Sequence, residues 1–224
     1  MIPRFFGNPQ RPLFGIFHPG RGSRPQKQNV LICPPIGHEY VRTHWAIRSL
    51  ASKLSREGMN VLRFDYRGVG DSAGDVSEVP TLQDWVADTQ DAAVELLDEV
   101  GELDSPLTVI GLRWGAAIAT LAVRELAAEG KLKSHPAVNL VLWEPSLRGA
   151  DFLTGLRTMH RQMLDLWVSR VETEDSETHE EILGFRYQRS LMNEIQTLNL
   201  EHEPPPSVDN ILVLTSDEQQ TFSG

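Results

Sequence analysis

The sequence predicts an α/β fold, a mostly parallel sheet with helices on its faces. Three observations predict it. Short continuous apolar runs, Val30-Leu31-Ile32-Cys33, Leu107-Thr108-Val109-Ile110 and Val138–Trp143, suit strands buried on both faces. Helical patterns stand between these runs, so strand and helix alternate along the chain. Connections long enough to hold a helix favour parallel neighbours joined by right-handed crossovers.

In chain order, Pro12-Leu13-Phe14-Gly15-Ile16-Phe17-His18-Pro19 reads as an early strand, and residues 20–28, rich in Gly, Arg and Ser, turn the chain. The run ending at Cys33 is stopped by Pro34-Pro35. Ile47, Leu50, Ala51 and Leu54 then share one helical face, and Gly58 stops that helix. Residues 60–65 form the next strand. Thr81 with Asp84 three residues on is a capping box with the shorter acid. Leu82, Trp85, Val86, Ala93, Leu96, Leu97 and Val100 form the stripe of the helix it opens, which Gly101 closes. Residues 114–129 are apolar on nearly every side, as a helix buried against a sheet requires.

From Asp151 the pattern changes. Phe152, Leu156, Met159, Met163 and Trp167 mark an amphipathic helix. An acidic stretch, 172–181, precedes a second helix carrying Leu191, Met192, Ile195 and Leu198. Pro204-Pro205-Pro206 breaks it, and Ile211-Leu212-Val213-Leu214 returns to strand. The expected division is a core of residues 1–150, a helical lid insertion of 151–206 and a truncated return to the core, 207–224.

Composition narrows the partners. The chain has 224 residues, the size of one domain. Lys and Arg number 21 against 31 Asp and Glu, a formal net charge of -10, which disfavours nucleic acid and anionic membrane surfaces. Cys33 is the single cysteine, so neither an intrachain disulfide nor a thiolate zinc cage can form. The N-terminus lacks the apolar core of a signal peptide, and no apolar run approaches ~18 residues. A cytoplasmic protein with no metal and no cofactor is expected. Arg67-Gly68-Val69-Gly70 lacks the following Lys of a phosphate-cradling loop.

The segment that bears on chemistry is Val109-Ile110-Gly111-Leu112-Arg113-Trp114-Gly115-Ala116, between a strand and a helix. Glycines two before and two after a central residue permit the sharp turn of a nucleophile elbow. That turn lifts the central side chain above the sheet, where free N–H groups and the positive end of a helix dipole gather. The central residue here is Arg113, whose guanidinium stays protonated and cannot attack a carbonyl.

Phe64-Asp65-Tyr66-Arg67-Gly68-Val69-Gly70-Asp71-Ser72 and Pro34-Pro35-Ile36-Gly37-His38 resemble the corresponding loops of the α/β-hydrolase superfamily, near its serine aminopeptidase-like members. The resemblance implies an ester, amide or thioester hydrolase lineage with serine at the elbow. It also implies an oxyanion hole of two backbone N–H groups, from Ile36 or Gly37 and from Trp114, with His38 packing the loop. Leu142-Trp143-Glu144-Pro145, Arg148-Gly149-Ala150-Asp151 and Glu181-Ile182-Leu183-Gly184, with the Gly-Leu-Arg-x-Gly elbow, are similar to exosortase-associated hydrolase-like proteins of exopolysaccharide gene clusters.

The family's acid follows a later strand and its histidine follows the last one. Asp217, with Glu218 beside it, stands near the acid position. The last histidine is His202, before that strand, so the base, closing strand and closing helix are expected to be absent, in a fragment or a naturally short chain. His160, on the first lid helix, is the histidine placed to reach over the site. Ser72 and Ser216 lie on loops, not on an elbow. Three readings stay open: a hydrolase-like binder of a small acyl or anionic ligand at Ile36, Gly37, His38, Arg113, Trp114 and His160; an active hydrolase with an atypical nucleophile; and a scaffolding domain. A sheet left without its last strand also offers an edge for homo-oligomerisation.

Overall fold

The computed structural model describes residues 1–21, 28–101, 105–132, 137–166 and 176–216. Its strands are β1 (Ile2–Phe6), β2 (Leu13–His18), β3 (Asn29–Cys33), β4 (Asn60–Phe64), β5 (Leu107–Leu112), β6 (Val138–Trp143), β7 (His179–Ile182), β8 (Phe185–Gln188) and β9 (Asn210–Leu214). Seven of them form one sheet in the order β1-β2-β4-β3-β5-β6-β9. From β4 to β9 all neighbours are parallel, while β1 and β2 join antiparallel at one end. The α/β-hydrolase architecture expected from the sequence is the one observed.

Helices α2 (Leu82–Val100) and α3 (Trp114–Ala128) bury the larger core on one face of the sheet, and α1 (Gly37–Arg56) buries a smaller one on the other. The α2 boundaries follow from the caps: Thr81 and Asp84 exchange side-chain-to-backbone bonds, and Gly101 closes the helix at φ 63°. The helix α1 starts well before the Ile47–Leu54 stripe. Its first turns are polar because they face polar neighbours; the Tyr40 hydroxyl donates to Asp65 at 2.8 Å.

Two strands escape pattern reading. The edge strand β1 contains Pro3, tolerated only where one side of a strand is unpaired. The β7–β8 hairpin lies within and just beyond the acidic stretch. Its two-residue turn, Leu183 at φ 55° and Gly184 at φ 82°, has the two left-handed residues of a type I′ hairpin. The hairpin stands between α4 (Gly149–Asp165) and α5 (Arg189–Thr197), so the segment expected to be helical is helix, hairpin, helix. Trp167 and most of the acidic run lie outside the described residues. No described helix is long and apolar enough to cross a membrane.

His18 is buried beside Arg63, whose Nε donates to its ring at 3.4 Å. Burial first, and the Arg63 charge second, push its pKa down to about 4. The unfolded chain therefore takes up this proton near pH 6.5 and the folded one only near 4, so stability falls as pH drops through that window. His18→Gln is expected to remove about 1–3 kcal/mol of that fall, read as the difference between the two proteins' urea midpoints at pH 7 and pH 4.5.

Candidate functional site

The elbow is built by close approach. A Cβ on Gly111 would lie 2.4 Å from the Ala116 Cα, and one on Gly115 would lie 2.2 Å from the Pro34 carbonyl oxygen. Only glycine lets α3 start this close to β5 and to the loop after β3. Arg113, between them, sits at φ 54°, ψ -122°, a strained conformation of about 1–3 kcal/mol for a residue with a side chain. Surrounding bonds hold it there. Its N–H donates to the Trp143 carbonyl at 2.9 Å, and its carbonyl accepts from Ala116 at 3.1 Å and Ser146 at 3.2 Å.

The Arg113 guanidinium therefore stands at the tip of the turn, where the sequence places it. Its Nε donates to Glu39 at 2.9 Å, and Nη1 reaches the Glu144 carbonyl at 3.4 Å. The side chain keeps 43% of its surface exposed. It divides two cavities. One, of about 340 Å³, lies towards α4 and is lined by Glu39, Ser146, Arg148, Asp151, Phe152, Leu156, Met159 and Glu201 as well as Arg113. The other, of about 220 Å³, lies against α1 and is almost wholly apolar, lined by Thr43, Ala46, Ile47, Leu50, Leu112 and Trp143 with Glu144 at its end.

The remaining sequence candidates do not gather around Arg113 in this way. Ile36, Gly37 and Trp114 are buried, and none lines either cavity. Tyr187 of β8 covers Gly37: a Cβ there would lie 2.0 Å from the Tyr187 hydroxyl. Burial, then the nearby Glu39 charge, holds that hydroxyl well above its ordinary pKa, so it stays a proton donor. Trp114 stacks on Phe152 of α4, centroids 4.7 Å apart, which fastens α4 onto the elbow. His38 is half-buried, its Nδ1 without a hydrogen-bond partner among the described residues.

His160 is a correction. It is buried, and its Nδ1 accepts from the Leu183 N–H at 3.0 Å, so it ties α4 to the hairpin turn and lines neither cavity. An inward-facing histidine looks the same in sequence whether it meets a ligand or a backbone amide. Asp217 lies outside the described residues. Ser72 is buried, donating to the Asp65 carbonyl and accepting from Phe14, a loop-fastening role. Ser216 donates its N–H to the Glu144 carboxylate, and its hydrogen bonds hold that carboxyl below the ordinary range.

Sequence reading missed Glu39, Arg148 and Glu201 as site residues. Glu39 was the findable one, since it directly follows the Gly37-His38 motif. In chemical terms, burial pushes the Cys33 thiol up and leaves it inert. Ser146 lines the larger cavity, yet no histidine lines either one, so its hydroxyl lacks an activating base there.

Comparison with known proteins fits this geometry. The family model for serine aminopeptidase S33 matches residues 25–187, more than half of the chain. The chain belongs to the serine aminopeptidase S33 family. The S33 match runs from before β3 through Tyr187, and so takes in the Gly37 loop, the Arg113 elbow, α4 and the hairpin. Among solved structures, a putative hydrolase from Agrobacterium vitis S4 is similar at 19% identity and TM-score 0.57, over 96% of this chain and 89% of that one. A soluble variant of monoglyceride lipase from Saccharomyces cerevisiae, at 13% and 0.61, covers 96% and 86%. Est1E from Butyrivibrio proteoclasticus, with ferulic acid bound, is similar at 17% and 0.58 over 94% and 77%. These likenesses establish the shared fold. No curated protein sequence matches the chain significantly.

Proposed function

We propose that this S33-family protein binds a small acyl or anionic ligand without serine-hydrolase chemistry, in the cavity between Arg113 and α4. The observation that carries this reading is the guanidinium at the elbow tip, exposed into a cavity where hydrolysis would need a nucleophile. Glu39 engages only one edge of that guanidinium; Nη2 has no hydrogen bond among the described residues. Arg148 adds a second cation to the same cavity.

The cavity also selects. Glu39, Asp151 and Glu201 bring three carboxylates against two arginines, so a multiply charged phosphate is repelled. A monocarboxylate fits, its charge on the open edge of Arg113 and its apolar body against Phe152, Leu156 and Met159. The buried Glu39 Oε2, with no partner among the described residues, would accept from a hydroxyl on such a ligand.

Thermal-shift and calorimetric titration with hexanoate and 3-hydroxyhexanoate test the reading. Wild type is expected to bind, and Arg113→Ala to lose about tenfold in affinity, the scale of one charge-assisted pair. Equal binding by both proteins overturns it, as does tighter binding of inorganic phosphate.

A further inference from the structure

We propose that the sheet face beside α1 is a docking groove for an acidic amphipathic helix of a partner protein. Among the described residues, α1 is the helix that packs on this face, and it reaches over β2 and β4 rather than over β6 and β9. Val141 belongs to the cluster under α1, so Trp143, two residues on, shares its face. In the β6–β9 register Leu212 pairs with Val141 and Leu214 with Trp143, which places both leucines there too. Trp143, Leu212 and Leu214 are 39%, 53% and 39% exposed.

Strands of a parallel sheet are ordinarily covered on both faces, and this sequence is apolar in both alternations of β9. The uncovered strip adjoins the 220 Å³ apolar cavity, whose other wall is Thr43, Ala46, Ile47 and Leu50 of α1. A helix wall on one side and a sheet floor below make a trough in which a second helix can lie beside the first.

Charge decides the occupant. Arg42 stands four residues before Ala46 and Lys53 three after Leu50, so helical spacing puts both on the solvent-side rim of the trough. Both are exposed, and neither makes an ion pair among the described residues. These unpaired cations stand out on a chain of net charge -10 and call for carboxylates flanking an apolar stripe. A second copy of this chain meeting groove to groove would set the same cations against each other. The groove lies across Arg113 from the ligand cavity, so the inference is independent of the proposed ligand.

The probe is a labelled helical peptide of about 20 residues with leucines at i, i+3, i+4 and i+7 flanked by glutamates, and its counterpart with lysines for the glutamates. Fluorescence anisotropy with the full chain should show the acidic peptide binding at least about tenfold more tightly. Arg42→Glu/Lys53→Glu should reverse that preference, and Ala46→Glu, at an exposed position, should abolish binding of both with an unchanged melting curve. Equal binding of the two peptides, or binding of neither at millimolar concentration, overturns the proposal. So does a dimer in light scattering that Ala46→Glu disperses, or adsorption to phosphatidylglycerol vesicles lost in the same variant.

Discussion

Asp88→Ala is expected to lower stability by about 2–4 kcal/mol, among the largest single effects available in this fold. Asp88 is fully buried on α2, and Arg67, from the loop after β4, gives it three hydrogen bonds: backbone N–H at 2.8 Å, Nε at 2.8 Å and Nη2 at 2.6 Å. Alanine would leave an arginine half-sunk in the core with its fork empty. The remaining bond from Arg67 Nη1 to Asp84, at 2.7 Å, and the solvent Arg67 still reaches keep the loss below that of a fully buried pair. For a chain of this length the loss corresponds to a melting temperature lower by about 5–15 °C. Asp88→Asn, which keeps an acceptor, should fall between. A melt of Asp88→Ala within about 2 °C of wild type would show that the Arg67 loop is held by something else.

The second large effect is expected at Gly115. A Cβ there meets the Pro34 and Cys33 carbonyl oxygens at 2.2 and 2.6 Å, and both are backbone, with no flexible end to give way. Gly115→Val must lift α3 off β3 or push out the Ile36-Gly37 loop, at more than about 3 kcal/mol. Poor expression or a melting temperature lower by about 10 °C or more is the expected outcome. Gly155→Ala is the control. It lies inside α4, its Cβ would meet nothing within 4 Å, and it should raise stability by about 0.5–1 kcal/mol. A Gly115→Val protein that melts like wild type would contradict the close-packed elbow.

These two sites show which parts of the molecule were legible in the sequence. Local chemistry was. Thr81, Asp84 and Gly101 bounded α2 correctly, and the spacing of Gly111 and Gly115 located a turn whose reason is contact with backbone a few residues or one strand away. Periodicity found β3, β4, β5, β6 and β9 because their apolar runs are buried in sequence by neighbouring strands. It failed where a partner far along the chain supplies the energy. The strand β1 is read only once β2 lies beside it, and β7–β8 depends on a turn whose left-handed Leu183 carries no signal.

At the site, Arg113 was legible because glycines frame it, whereas Glu39, 74 residues away, became its partner only through the fold. His160 had the right element and the wrong role, its ring spent on the Leu183 amide. Burial of Ile36, Gly37 and Trp114 under Tyr187 and Phe152 depends on α4 and the hairpin folding back, which no local pattern announces.

The central claim is that the elbow presents a cation where acyl transfer needs a nucleophile. Labelling with a fluorophosphonate probe, alongside turnover of p-nitrophenyl butyrate, tests it most directly, using wild type and Arg113→Ser. The account predicts no covalent adduct and no heat-labile turnover for either protein, because no histidine lines the cavities at Arg113 to activate a hydroxyl. Stoichiometric labelling of the wild type, with ester turnover lost on denaturation, would contradict it.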